Sequence, residues 1–318
     1  MKVKLSTIKD FQAGRKILGF FLCREKNLRR TRTGDLYVDL VLQDATGVIP
    51  AKIWDSVDEF KDRFKPGDPL AVKGTPSEYN GELQLTVTQV NVADAQRYAT
   101  YGFTPEKLVP TISESIPELF DNLKLINDQI KNQFLKKLVR NLFKTYESRL
   151  KVMPASVNHH HPLRGGFLKH LVSSGSLALK ICDHFIKLDR DLVLTGILLH
   201  DMGKLKSMQG ELEAEYSDEG HLVGHILLGY EIVSREIDGI EGFPELLKQK
   251  LLHIIAAHQG SPTKGSPVVP KFPEALVVSH IDELDTRLDL MQRAIDQDSN
   301  TGDWTSKRNH FFTELFKK

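Results

Sequence analysis

The dipeptide His200-Asp201 closes the apolar run Leu192-Val193-Leu194-Thr195-Gly196-Ile197-Leu198-Leu199 and leads at once into Met202-Gly203-Lys204. A neutral imidazole nitrogen beside an anionic carboxylate oxygen, at the end of a buried helix, offers one point the two donor types that a divalent cation takes. A cation held there lowers the pKa of a bound water, so the chemistry implied is hydrolysis. The histidine distribution directs attention to the same half of the chain. All 12 histidines lie between His159 and His310, and the first 158 residues contain none.

Such a centre needs roughly three to six ligands on a rigid frame, with positions left for water and substrate. From about residue 155 to the C-terminus the pattern predicts an all-helical region. Leu168, Leu171, Val172, Ala178, Leu179, Cys182, Phe185 and Ile186 mark one apolar face, and Leu246, Leu247, Leu251, Leu252, Ile254 and Ile255 another. His170 falls on the helix after Arg164-Gly165-Gly166, His225 follows Gly224 at the start of another, and His258 ends the Leu251 helix. Asp282 lies within a helix that begins near Glu274, on an apolar face where a lone carboxylate is costly. One histidine on an apolar helix is more often a hydrogen-bonded core residue, but six positions together favour ligands. Lys204 is a phosphate partner or a surface lysine, with the phosphate role favoured. Arg164 is a similar case, since Gly165-Gly166 permits close backbone approach. His160 and His161 either face substrate or pack their loop. His159 and His184 read as surface residues, His221 and His253 as outside the ligand set, and Cys23 and Cys182 as core.

Composition sets outer limits. A chain of 318 residues is comfortable as two domains, and 40% hydrophobic with 27% charged residues is ordinary for a globular protein. A net charge of +1 requires any nucleic-acid surface to be a local patch. Two cysteines build no disulfide framework. There is no 18-residue apolar run, and Met1-Lys2-Val3-Lys4 lacks the apolar core of a signal peptide, so a cytoplasmic protein without a membrane partner is expected. Nothing in the sequence specifies an oligomeric state.

Residues 12–95 read as strands. Tyr37-Val38-Asp39-Leu40-Val41-Leu42 alternates in its middle, and Leu83, Leu85 and Val87 alternate with Gln84, Thr86 and Thr88. Asn80-Gly81 predicts a type I′ hairpin, and Thr33-Gly34 and Thr46-Gly47 further turns. A helix-like segment, residues 57–64, interrupts the strands. That order suits a five-stranded OB β-barrel with a helix inserted midway. Arg24, Lys26, Arg29, Arg30 and Arg32 form a basic stretch opposed only by Glu25. In an OB fold, cations meet phosphates and aromatic rings meet bases, which nominates Tyr37, Trp54 and Tyr79 for stacking. A charge run in a hairpin is often merely solvated, and Trp54 could instead be core. The expected division is an OB domain over 1–100, a helical connector over 101–154 and an all-α domain over 155–318.

Two resemblances sharpen this reading. Phe20-Phe21-Leu22, the basic stretch, Leu40-Val41-Leu42-Gln43-Asp44-Ala45-Thr46-Gly47, Ala51-Lys52-Ile53-Trp54-Asp55 and Val72-Lys73-Gly74 resemble OB domains of the tRNA-anticodon and single-strand-binding type. His170, His200-Asp201 and Asp282 match the H…HD…D pattern of the HD phosphohydrolase superfamily. The context His160-His161-Pro162-Leu163-Arg164-Gly165-Gly166, Leu222-Val223-Gly224-His225-Ile226 and Gly265-Ser266-Pro267-Val268-Val269-Pro270 resembles one branch, the YhaM-type 3′-5′ exoribonucleases. That resemblance covers nearly the whole chain. It implies His170, His200, Asp201 and Asp282 as ligands of one metal, His225 and His258 as ligands of a second, and Mn²⁺ as the activator. It implies single-stranded RNA as substrate and leaves single-stranded DNA open as another. Asp201, Lys204 and Arg164 are the expected catalytic groups. The chain departs from the family at His258-Gln259-Gly260, where two adjacent histidines usually precede the glycine. Two other functions compete: an HD-type nucleotide or cyclic-nucleotide phosphohydrolase, which leaves the OB domain unexplained, and a non-enzymatic single-strand-binding protein with a structural HD module.

Overall fold

The computed structural model describes residues 5–157, 161–210, 212 and 214–318. It divides into two compact units, Met1–Thr111 and Ile112–Lys318.

The first unit is a closed barrel of five strands in the order β1-β2-β3-β5-β4. These are β1 (Ile17–Arg30), β2 (Leu36–Asp44), β3 (Gly47–Ile53), β4 (Pro69–Tyr79) and β5 (Glu82–Val92), with helix α1 (Val57–Phe60) between β3 and β4. This is the expected OB arrangement. Alternation along β3 buries Ile49, Ala51 and Ile53 and turns Lys52 outward. At the β4–β5 hairpin, Asn80 and Gly81 have φ of 53° and 82°, the positive values that turn requires. A short helix, α2 (Ala95–Tyr98), follows the barrel.

The second unit contains α3 (Ile116–Asp128), α4 (Gln133–Val152), α5 (Gly166–His184), α6 (Arg190–Leu199), α7 (Lys204–Ser207), α8 (Asp218–Leu222), α9 (His225–Asp238), α10 (Glu245–Ala257) and α11 (Pro273–Asp296). The segment read as a helical connector packs into the core of this unit. Phe120 and Leu123 of α3 and Leu135, Leu138 and Leu142 of α4 join the same apolar core as Leu168 of α5 and Leu198 of α6. Their apolar stripes are buried in that core, and the boundary between the units falls near Thr111. The region is helical as expected, apart from one small sheet and an irregular end. Strands β6 (Met208–Gln209) and β7 (Glu215–Tyr216) pair in a small sheet, and the chain after Gln297 is irregular, closed by a bridge between Trp304 and Phe316. Helix α5 stops at His184, leaving Phe185 and Ile186 exposed where the pattern had put them on its apolar face.

Helix α6 is the axis of this unit. Every residue from Leu192 to Leu199 is fully buried, as expected of a helix apolar on all sides. Asp189 starts it by accepting from the Leu192 amide at 3.0 Å, a cap typically worth about 1 kcal/mol. Its C-terminal end, carrying His200 and Asp201, is therefore delivered into the core.

Gly203 lets the following turn press against α9. A Cβ there would lie 1.8 Å from the His225 carbonyl oxygen and 2.4 Å from the Gly229 amide nitrogen, both backbone atoms that cannot swing away. Gly203→Ala is expected to force α9 outward and destabilise the protein by about 1–3 kcal/mol, read as a lowered urea midpoint at unchanged m-value. An unaltered midpoint shows that the close approach is not required.

Candidate metal centre and nucleic-acid face

Two histidines reach the centre by the same local device. His200 and His258 each cap the C-terminus of a helix, and each Nδ1 meets the carbonyl three residues back, Ile197 O at 2.8 Å and Ile255 O at 2.7 Å. Those carbonyls lack intrahelical partners, so the ring N–H satisfies them. The bond also fixes the ring and turns Nε2 toward the centre.

Around Asp201 the donor atoms form two groups. His170 Nε2, His200 Nε2, Asp282 Oδ1 and Asp201 Oδ2 converge on one side, with separations of 3.3 Å (His170–His200), 3.4 Å (His200–Asp201) and 3.5 Å from Asp282 to each imidazole. His225 Nε2 and His258 Nε2 each lie 3.5 Å from Asp201 Oδ1 on the other side. In each group the atoms lie within 4.8 Å of one another. Asp201 Oδ1 is buried and makes no hydrogen bond. Such an atom is costly unless a cation takes it, and the mixed nitrogen and oxygen donors suit a borderline divalent ion. The residues present therefore fit a divalent metal on each side of one bridging carboxylate.

Electrostatics agree with this. Burial works against charge on Asp201 and Asp282, yet their neighbours hold both carboxyls below the ordinary carboxylate range, Lys204 and His200 for Asp201 and His200 and His170 for Asp282. Burial likewise opposes protonation of His200, and the two carboxylates override it, raising its pKa to about 10. The cluster thus demands positive charge at this point. Burial lowers His225 to about 4 with help from Lys204 and His258, so its lone pair is available at neutral pH.

Three residues around the ligands carry no role in the sequence reading. Asp285 Oδ2 lies 2.7 Å from His170 Nδ1 and 3.1 Å from His161 Nε2, while Ser173 donates to its other oxygen at 2.5 Å. Asp289 accepts from the His161 amide at 2.8 Å and lies 3.1 Å from its Nδ1. His161 is buried on this pair, the loop-packing alternative of the two open to it. Asp285 and Asp289 follow Asp282 at helical spacing on α11, and that i, i+3, i+7 stripe was the signal available. His159 and His160 lie outside the described residues.

A cavity of about 440 Å³ opens on the centre, a volume in the range of small-ligand sites. Asp201, Lys204, His225, His258, Gln259 and Asp282 line it, with Tyr216, Lys264 and Arg287 nearer its mouth. Lys204 is no surface lysine: it is buried, with Nζ 2.5 Å from Asp201 Oδ2. Gln259 Nε2 sits 3.3 Å from His225 Nε2, at the edge of the second group. Arg164 does not line the cavity. Its carbonyl accepts from the Ile112 amide at 3.1 Å, which ties this stretch to the start of the unit. His184 and His221 are exposed, and His253 accepts from the Lys271 amide at 3.1 Å.

In the barrel, Tyr37 and Trp54 stack at 4.7 Å between centroids, 28° apart. Lys52 Nζ lies 5.2 Å from each of these rings and 5.8 Å from that of Tyr79. Trp54 is 42% exposed and belongs to this outer patch rather than to the core. Lys52, absent from the basic stretch, is its central cation. Arg24, Arg29, Arg30 and Arg32 are exposed, Arg29 paired with Asp39 at 3.0 Å and Arg30 donating to Gly34 O at 2.9 Å. Lys26 departs from expectation. Its Nζ donates to Lys61 O at 2.6 Å and Phe64 O at 2.5 Å and lies 3.9 Å from the Phe64 ring, so it closes the segment after α1 instead of facing a phosphate.

The shifts fix a pH response for protein stripped with EDTA. The His200 contribution to stability is complete below its unfolded value near 6.5 and is lost as pH rises through about 10. Asp201 and Asp282 contribute above about pH 4 and lose that contribution in acid. Urea midpoints are therefore expected to fall between pH 6.5 and 10 in EDTA. A saturating divalent cation should offset that fall, because an ion held there would displace the His200 proton. A flat EDTA profile over that window contradicts the assigned charge state.

Residues 167–287, which contain all six candidate ligand positions, match the family model of the HD domain, and residues 25–93 match that of the OB-fold nucleic acid binding domain. A third model, described for a helicase, matches residues 105–189 and overlaps the HD match at α5. Among described relatives, the 3′-5′ exoribonuclease YhaM of Listeria monocytogenes serotype 4b is 30% identical over 288 residues, 90% of this chain and 90% of the relative. That of Bacillus subtilis strain 168 is 29% identical over 297 residues, 93% and 92% of the two chains. That of Bacillus licheniformis is 28% identical over 316 residues, 96% and 98%. The likeness runs through barrel and helical unit in the same order, and the chain belongs to the YhaM family of 3′-5′ exoribonucleases.

Proposed function

We propose that this protein is a metal-dependent 3′-5′ exoribonuclease, that Mn²⁺ activates it, and that single-stranded RNA is its substrate, with single-stranded DNA accepted at the same site. The observation that carries this reading is one deeply buried carboxylate, Asp201, shared between two donor groups at the wall of a cavity. It stands in a chain whose relatives of matching length are named for that activity.

His170, His200, Asp201 and Asp282 would hold one ion, and Asp201, His225 and His258 a second. A divalent cation held by these residues would supply a water of lowered pKa and Lewis acidity toward a phosphodiester. Lys204 keeps Asp201 anionic from 2.5 Å and presents its ammonium in the cavity wall, where it offsets charge developing on phosphorus oxygens. Asp285 fixes the His170 ring from behind, through Nδ1. Arg164, away from the cavity, takes no part in this scheme. In the barrel, Lys52 and the exposed arginines meet phosphates while Tyr37, Trp54 and Tyr79 offer ring faces to bases, a sequence-tolerant mode of holding a single strand. The protein works in the cytoplasm, where such strands are found. No helix among the described residues is long and apolar enough to cross a membrane.

Incubating 5′-labelled and 3′-labelled RNA with the protein and Mn²⁺ tests the reaction. The 5′ label should move into a ladder shortening from the 3′ end, and the 3′ label should leave at once as mononucleotide. EDTA or Asp201→Ala should abolish both, and Lys204→Gln should slow them by about 10²–10³-fold. Internal fragments, or turnover of free nucleotides alone, contradict the proposal.

The place of Gln259 beside His225 supports a second test. Gln259→His adds a nitrogen donor to the second group and should lower the half-saturating Mn²⁺ concentration by about tenfold. An unchanged Mn²⁺ titration removes position 259 from the metal shell.

A further inference from the structure

Helix α11 lines more than the metal cavity. Asp282, Thr286, Leu290, Arg293 and Gln297 follow one stripe of it at helical spacing. Leu290 lines the metal cavity and also a second cavity of about 690 Å³. At 1.5 Å rise per residue, Asp282 and Arg293 stand about 16 Å apart, the length of a few nucleotides.

The second cavity is basic. Arg293, Lys307, Arg308 and His310 line it against one acid, Asp298. That acid is already engaged, since Asp298 Oδ1 lies 3.1 Å from Lys317 Nζ and Oδ2 accepts from the Ser306 amide at 2.8 Å. Arg293 leans on Asp289 at 3.7 Å. Lys307 and Arg308 are exposed, and among the described residues neither makes an ion pair.

The loop carrying them is a built feature. Thr305 N donates to Leu315 O at 2.9 Å, and Lys317 N to Asp303 O at 2.8 Å. Asn309 Nδ2 donates to Ser306 O at 2.8 Å and Thr313 O at 2.7 Å, while its Oδ1 accepts from Phe311 N at 2.9 Å. This tethering holds Phe312 at φ 54° with its ring 85% exposed. A bulky residue in the left-handed region is strained and leaves a large apolar face in water, and strain of that kind collects at ligand sites.

We infer that this cavity is a second binding site for the single-stranded RNA, a few nucleotides from the residue being removed: Lys307 and Arg308 take the phosphodiester backbone and Phe312 stacks on a base. The inference rests on the exoribonuclease reading for the identity of the strand. Cations beside an exposed ring are the elements by which single strands are held without sequence preference. The site gives the helical unit its own grip on the strand, so substrates of a few nucleotides should be preferred over dinucleotides.

The test compares kcat/KM for a tetranucleotide with that for a dinucleotide, in Mn²⁺, using the full chain. In Lys307→Glu/Arg308→Glu the tetranucleotide-to-dinucleotide ratio should fall about tenfold, and the log–log salt slope on the tetranucleotide should flatten by roughly 1.4 for two lost phosphate contacts. Lys307→Arg/Arg308→Lys should retain the wild-type ratio. An unchanged ratio in the glutamate variant overturns the inference. Should the wild-type protein release nucleotides from neither RNA, the exoribonuclease reading itself fails. The site is then decided by photo-crosslinking a 4-thiouridine tetranucleotide in EDTA: adducts within residues 306–313 uphold it, and adducts elsewhere overturn it.

Discussion

One buried carboxylate organises the helical unit. Asp201 has essentially no exposed surface, yet Lys204 and His200 keep it ionised, and its two oxygens face two different sets of imidazoles. An uncompensated charge at that depth is costly enough to unfold a domain, so everything around it answers to that demand. Helix α6 is apolar on every side and can be buried whole, which brings its last turn to the middle of the unit. The tight turn at Gly203 returns Lys204 onto the same carboxylate and lets α9 approach closely enough for His225 to reach it. One further helix, α10, ends at the same point on a capping histidine, His258, as α6 itself does on His200. The fold and the reactive centre are thus consequences of one another.

How much of this could be read from the residues depended on whether the information was local. The run from Leu192 to Leu199 is long, apolar and uninterrupted, so a buried helix ending in His200-Asp201 followed directly. The Asn80-Gly81 hairpin and the alternation of Leu83, Leu85 and Val87 were equally legible, because turn chemistry and strand period act within a few residues. Asp285 and His161 meet across more than 120 residues and have no local signature, so their pairing escaped notice. Lys26 shows a different limit. A basic run says nothing about which member turns back toward its own domain, and the carbonyls that capture Lys26 belong to a segment 35–38 residues away. Lys52 was passed over for the converse reason: it stands alone in sequence, and only pairing of β3 with its neighbours gathers three rings around it.

A chain with net charge +1 has no general attraction for a polyanion, so it must concentrate its cations. Within the barrel this is achieved by setting Lys52 among Tyr37, Trp54 and Tyr79, where ring quadrupoles hold the ammonium at the surface. In the helical unit the cations stand beside carboxylates committed elsewhere, so that Asp298 does not cancel Lys307 and Arg308. The relevant quantity is therefore the local balance of charge at each cavity.

Helix α11 has a consequence for how this protein can vary. A single rigid segment carries a metal-centre carboxylate at Asp282, the support of two histidines at Asp285 and Asp289, and Arg293 in the distal cavity. Each residue inserted or deleted between them turns everything downstream by about 100° around the helix axis and shifts it by about 1.5 Å. Length changes of that kind cannot be absorbed one residue at a time, whereas the segment between α10 and α11 can lengthen or shorten without disturbing any of these registers. Descendants of this sequence are accordingly free to drift in loop length but are bound to the phase of one helix.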